Sequence, residues 1–120
     1  MKIIYETKVN AIGDMVSEFE DDMIIFFGEN APDTLKDYCH IIDINEVKSD
    51  IKIGDILQID DKIYKIKYVG DEAFKNLKDL GHLSVYFTED EENLLPGSIV
   101  VENKQVPKIK IGSYVRIMEE

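Results

Sequence analysis

The chain has 120 residues, with 25 Asp and Glu against 14 Lys and Arg, a formal net charge of -11 and a pI near 4.5. That length fits one domain over 1–120, large enough to bury a core without disulfide or metal staples. The acidic balance argues against nucleic acid or an anionic membrane as partner, since both attract Lys and Arg. No apolar run reaches the roughly 20 residues of a membrane span. The start, Met1-Lys2-Ile3-Ile4-Tyr5-Glu6, alternates charge and hydrophobe, unlike a signal peptide. A single cysteine, Cys39, leaves no internal disulfide and no zinc cluster. The expectation is a soluble cytoplasmic protein, without direct membrane insertion.

Alternation of period two, rich in Ile, Val, Tyr and Phe, marks half-buried strands. It predicts strands near 2–9 and 22–27, then a short helix after Pro32 over 33–38, where Asp33 supplies an acidic first turn. Strands follow near 39–44, 56–60 and 62–69, the last two joined by a hairpin at Asp60-Asp61-Lys62. From Asp71 to Leu80 the pattern changes. Ala73, Phe74, Leu77 and Leu80 form a helical stripe, with Asp71 as N-cap and Gly81 as terminator. Phe74, Leu77 and Leu80 are expected to be buried. Strands near 82–88, 98–102 and 113–118 complete the chain, and the run Glu89-Asp90-Glu91-Glu92 is expected to be a solvated loop. The fold class is all-β: a single-domain barrel or sandwich of about eight short strands, in which 71–80 is the one helix of two or more turns.

A weak internal repeat crosses this pattern. Placing 39–59 on 97–117 aligns Ile41 with Ile99, Asn45 with Asn103, Ile51-Lys52-Ile53-Gly54 with Ile109-Lys110-Ile111-Gly112, and Ile59 with Ile117. Two origins stay open: a pseudo-twofold pair of half-barrels, or a common Gly lead into a strand.

Groups able to do chemistry are few. There is no Walker loop, dinucleotide fingerprint, nucleophile elbow or H-E-x-x-H motif, and His40, His82 and Cys39 have no neighbours at metal-ligand spacing. Cys39 reads as a small buried hydrophobe. On its strand His40 shares a side with Tyr38 and Ile42, and is expected to be an ordinary surface histidine. His82 follows the helix-stopping Gly81 and opens a strand. Position alone favours packing at the helix C-terminus. The other role is a presented imidazole, which is nucleophilic toward phosphorus near pH 7.

The segments that carry these residues also carry a family resemblance. Met23-Ile24-Ile25-Phe26-Phe27-Gly28-Glu29-Asn30-Ala31-Pro32 with Leu35-Lys36-Asp37-Tyr38-Cys39, then Val69-Gly70-Asp71, Asn76-Leu77-Lys78-Asp79-Leu80-Gly81-His82 and Leu95-Pro96-Gly97-Ser98-Ile99, resemble the enzyme IIA component of the glucitol/sorbitol-specific phosphotransferase system. The likeness runs from Ile4-Tyr5-Glu6-Thr7 and Ile12-Gly13 to Gly112. It implies a β-barrel-like fold and a cytoplasmic phosphocarrier that binds no cofactor. A histidine would accept a phosphoryl group from the histidine phosphocarrier protein HPr and pass it to the IIB unit of an IIB/IIC membrane permease.

The resemblance also implies a phosphorylated histidine three positions after the cysteine, where this chain has Ile42. His82 matches the family's Leu-Gly-His segment and is the first choice of acceptor; His40 is the second. Backbone at Gly81 and the hydroxyl of Ser84 are the candidates for holding the phosphoryl oxygens. The isoleucine favours a different class, a non-catalytic relative that senses or binds a partner without carrying phosphate.

Overall fold

Short runs rich in Ile, Val, Phe and Tyr, alternating with polar residues in the longer ones, build eight strands in the computed structural model, which describes residues 2–18, 22–89 and 94–120. These are β1 (Lys2–Ile12), β2 (Met23–Phe27), β3 (His40–Ile42), β4 (Ile56–Ile59), β5 (Lys62–Val69), β6 (Leu83–Phe87), β7 (Ser98–Val101) and β8 (Tyr114–Glu119). Each falls on a stretch where the sequence pattern predicts a strand. They close into a barrel in the order β1-β3-β2-β6-β7-β5-β4-β8. Closure pairs every strand on both sides, so this sheet has no free edge. One residue of each alternating pair points inward, and Ile4, Val9, Ile24, Phe26, Ile42, Leu57, Ile59, Ile66, Leu83, Val85, Ile99, Val101 and Ile117 fill the interior.

The repeat is structural. β1 pairs antiparallel with β3, which runs parallel to β2; β5 pairs antiparallel with β7, which runs parallel to β6. The two halves join through the antiparallel pairs β2–β6 and β4–β8. Each half has a register shift at the same place, after Val9 in β1 and after Ile66 in β5. The Ile-Lys-Ile-Gly turns match bond for bond. Asp55 N–H donates to Lys52 O and Ser113 N–H to Lys110 O, both at 3.0 Å. The side chains of Asp55 and Ser113 accept from the amides of Lys52 and Lys110. Gly54 and Gly112 both take positive φ, 99° and 96°, which explains why glycine recurs there.

Among the described residues two α-helices, α1 (Asp33–Lys36) and α2 (Ala73–Leu80), and a 3-10 turn at Val16–Glu18 interrupt the strands. The expected N-cap is corrected by one residue. Helix α2 is capped at Glu72 with no side-chain cap bond. Its entry is fixed by backbone instead, Glu72 N–H donating to Pro96 O and Ala73 N–H to Gly70 O. Gly81 ends the helix in the left-handed region, φ 69°, as its position predicts. The stripe is only partly buried. Ala73 and Leu77 enter the core and Phe74 flanks it, but Leu80 stays 38% exposed. Only the turn from Ala73 to Leu77 spans the contact, and Gly81 then turns the chain away into β6. Of the acidic run, Glu89 is exposed; the remainder lies outside the described residues.

Candidate functional site

The β2–β6 ladder sets the site. Its register pairs Met23 with Tyr86, Ile24 with Val85, Ile25 with Ser84 and Phe26 with Leu83. Ile24, Phe26, Leu83 and Val85 point into the barrel, so Ile25, Phe27, His82 and Ser84 share the outer face. The next position along the register sets Phe27 opposite His82. Their rings stack, with centroids 4.6 Å apart and planes inclined by 17°. Phe27 is itself held by a small outer cluster with Ala31, Cys39 and Ile41. This cross-strand contact fixes one face of the imidazole.

His82 is half-buried, and desolvation holds its pKa below the ordinary 6.5, so the ring is neutral at pH 7. Neither ring nitrogen bonds to a described residue, and neither is sealed from solvent. The hydroxyl of Ser84, two residues on and on the same face, bonds to no described residue either, but the residue is buried, 6% exposed. Ser98 lies beside Ser84 in the parallel β6–β7 register, but its Oγ is sealed and has no partner.

Backbone at the turn serves positioning. Gly81 N–H donates to the carbonyls of Asn76 and Leu77, and His82 N–H donates to Asn76 O at 3.1 Å. Both amides are thus engaged inside the helix cap. Gly81 contributes close approach: a Cβ there would stand 3.0 Å from the amide nitrogen of Gly28 and 3.3 Å from Ile44. Gly97 forms a floor beside the imidazole. A Cβ on Gly97 would lie 3.7 Å from Cε1 of His82 and 2.8 Å from Nδ2 of Asn76. The strand alternation does not single out Asn76, although it opens the Asn-Leu-x-x-Leu-Gly-His segment that contains His82.

The other candidates are not brought to this place. His40 is a buried residue, 7% exposed, which corrects the expectation of a surface histidine. The reason is its strand: β3 lies between β1 and β2, with His40 set against Ile12 and Phe26. Burial pulls its pKa down to about 4, a hydrogen bond to the Ile25 backbone opposing this in part. Its Nδ1 is sealed without a partner. Phe26, the inward neighbour of Phe27, lies 6.1 Å from its ring. Ile42 is 1% exposed and sits in the main core opposite Val9. Cys39 is fully buried as expected, and burial pushes its thiol up to about 11. Among the described residues no three His, Cys, Asp or Glu side chains converge as a metal site requires.

The molecule is thus a closed pseudo-twofold β-barrel with one reachable neutral imidazole stacked on its outer wall. The family model for the glucitol/sorbitol-specific IIA component of the phosphotransferase system matches residues 4–116. The glucitol/sorbitol-specific EIIA components of Escherichia coli strain K12 and Shigella flexneri are each 32% identical over 117 residues, covering 97% of this chain and 95% of theirs. The crystal structure of a PTS system IIA component from Enterococcus faecalis V583 superposes with a TM-score of 0.83 at 33% identity, over 96% of this chain and 100% of that one. This chain belongs to the glucitol/sorbitol-specific IIA family, a component class of the sugar phosphotransferase system.

Proposed function

We propose that the protein is a cytoplasmic phosphocarrier in which His82 takes a phosphoryl group from HPr and yields it to the IIB unit of a glucitol/sorbitol permease. The observation that carries this reading is the state of the His82 imidazole: neutral, free of hydrogen bonds to described residues, and sealed at neither nitrogen. In the transfer, the lone pair of a His82 ring nitrogen forms a bond to phosphorus as the N–P bond of the donor phosphohistidine breaks. The bonding pair returns to the donor nitrogen. The proton on the far nitrogen of His82 passes to water, and the donor imidazole takes one up. Stacking on Phe27 holds the ring for in-line attack, and the Ser84 hydroxyl is placed to donate to a phosphoryl oxygen. A net charge of -11 favours encounter with a donor that docks through a basic face. No described helix is long and apolar enough to cross a membrane.

His40 is the weaker acceptor, because its ring lies inside the sheet that carries His82 on its outside. A second reading, a binding or sensing relative without phosphotransfer, is favoured by one observation: the position three residues after Cys39 is a core isoleucine. Incubation with labelled phosphoenolpyruvate, enzyme I and HPr separates the two. Acid-labile label in the wild type, lost in His82→Ala and kept in His40→Ala, supports the carrier. An unlabelled wild type supports the second reading, and full labelling of His82→Ala rules out His82.

A further inference from the structure

The geometry points to Asn76 as the residue that holds the phosphoryl group on His82, a role that rests on His82 being the acceptor. Asn76 lies in α2, and its carbonyl accepts from the amides of Gly81 and His82. Its place relative to the imidazole is therefore fixed by backbone. Its carboxamide is half-buried and bonds to no described residue, so its N–H2 is available to a ligand.

The carboxamide and the imidazole converge over Gly97. The point where a Cβ would stand on that glycine is 2.8 Å from Asn76 Nδ2 and 3.7 Å from His82 Cε1. Cε1 lies between the two ring nitrogens, so a phosphoryl group on either one has oxygens near this edge. Gly97, buried and without a side chain, leaves the space for them. A neutral donor can serve there, and the Asn76 N–H2, unbonded and beside Gly97 with the ring, is one. The covalent step is the one already balanced: one N–P bond forms on His82 as the donor's breaks, and Asn76 donates hydrogen bonds without exchanging a proton.

The test uses the full chain with labelled phosphoenolpyruvate, enzyme I and HPr. Asn76→Ala is expected to slow phosphorylation of His82 at least tenfold. Asn76→Asp keeps the shape but replaces the donor with a carboxylate, so it is expected to be slower still and to raise the pKa of His82 in the unphosphorylated protein. Asn76→Gln, which keeps an N–H2, is expected to recover part of the rate. A role in shape alone would not separate the Asp and Gln variants in this way. Should the variants fail to fold, the wild type decides the matter by NMR: the Asn76 side-chain amide signals are expected to shift when His82 is phosphorylated. Wild-type rates in folded Asn76→Ala and Asn76→Asp, or amide signals that do not move, overturn the role of Asn76 and leave His82 as acceptor. An unphosphorylated wild type, or label retained in His82→Ala, overturns both.

Discussion

Phe27 and His82 face each other across the β2–β6 ladder with ring centroids 4.6 Å apart and planes inclined by 17°. The contact joins packing to chemistry. One face of the imidazole is desolvated by the phenyl ring, which lowers the cost of keeping the histidine neutral, while neither nitrogen is sealed. The barrel interior is not involved, because Phe27 belongs to the outer cluster with Ala31, Cys39 and Ile41.

Replacing Phe27 with leucine keeps apolar bulk but removes the stacked ring. The aromatic contact is worth about 0.5–1.5 kcal/mol beyond burial, so the fold is expected to survive. Less desolvation should let the His82 pKa rise toward 6.5. An NMR pH titration of the His82 ring signals checks this; an unchanged midpoint would show that Phe27 does not set the protonation of His82.

His40 supplies a pH dependence of stability. Its pKa is about 4 in the folded barrel and 6.5 when exposed, so between these values the unfolded chain binds more protons. Stability from this group is complete above pH 6.5 and is lost as the pH falls toward 4, by up to about 3 kcal/mol at 1.36 kcal/mol per unit. His82, also depressed, adds a loss of the same sign below 6.5. His40→Phe removes the larger part and also the sealed, unpartnered Nδ1. Thermal melts of the variant between pH 4 and 7 are expected to show a flatter profile than wild type, and equal slopes would contradict this account.

Local signals made the barrel legible in the sequence. Alternation marks the longer strands such as β5, apolar runs rich in Ile, Val and Phe mark β2 and β7, and Gly81 marks the end of α2 because glycine takes φ 69° cheaply. The repeat was legible through Gly54 and Gly112, since both need the left-handed region. Burial depending on strand order was hidden. His40 looks like a surface residue until β3 is known to lie between β1 and β2. Asn76 and Gly97 are distant in sequence, and their convergence on His82 exists only once Pro96 O accepts from Glu72 N–H and docks the 95–97 segment on α2.

The same limit governs the helix stripe, and two substitutions measure it. Leu77 is 1% exposed in the core, so Leu77→Ala is expected to cost about 2–5 kcal/mol in denaturant unfolding. Leu80, on the same stripe, is partly exposed, and Leu80→Ala is expected to cost less than about 1 kcal/mol. Equal costs would mean that the helix buries its last turn as well.

The proposed role of Ser84 is tested by comparing transfer rate with stability. Its hydroxyl lies on the outer face two residues from His82 and bonds to no described residue, although the residue is only 6% exposed. Removing it therefore breaks no hydrogen bond in the resting protein and leaves no partner unsatisfied, so little stability is expected to be lost. During transfer the hydroxyl would gain an acceptor, a phosphoryl oxygen that carries charge. Loss of a hydrogen bond made only in that state lowers the rate without touching the resting fold. Ser84→Ala is thus expected to keep the wild-type melting temperature within a few degrees while phosphorylation from HPr slows about tenfold. Ser84→Thr, which keeps the hydroxyl on a strand that favours β-branched residues, is expected to retain more of the rate than alanine does. Stopped transfer assays paired with melts on the same samples give the answer. A rate equal to wild type in Ser84→Ala would remove this hydroxyl from the site, and a rate loss that tracks a fall in melting temperature would assign it to packing.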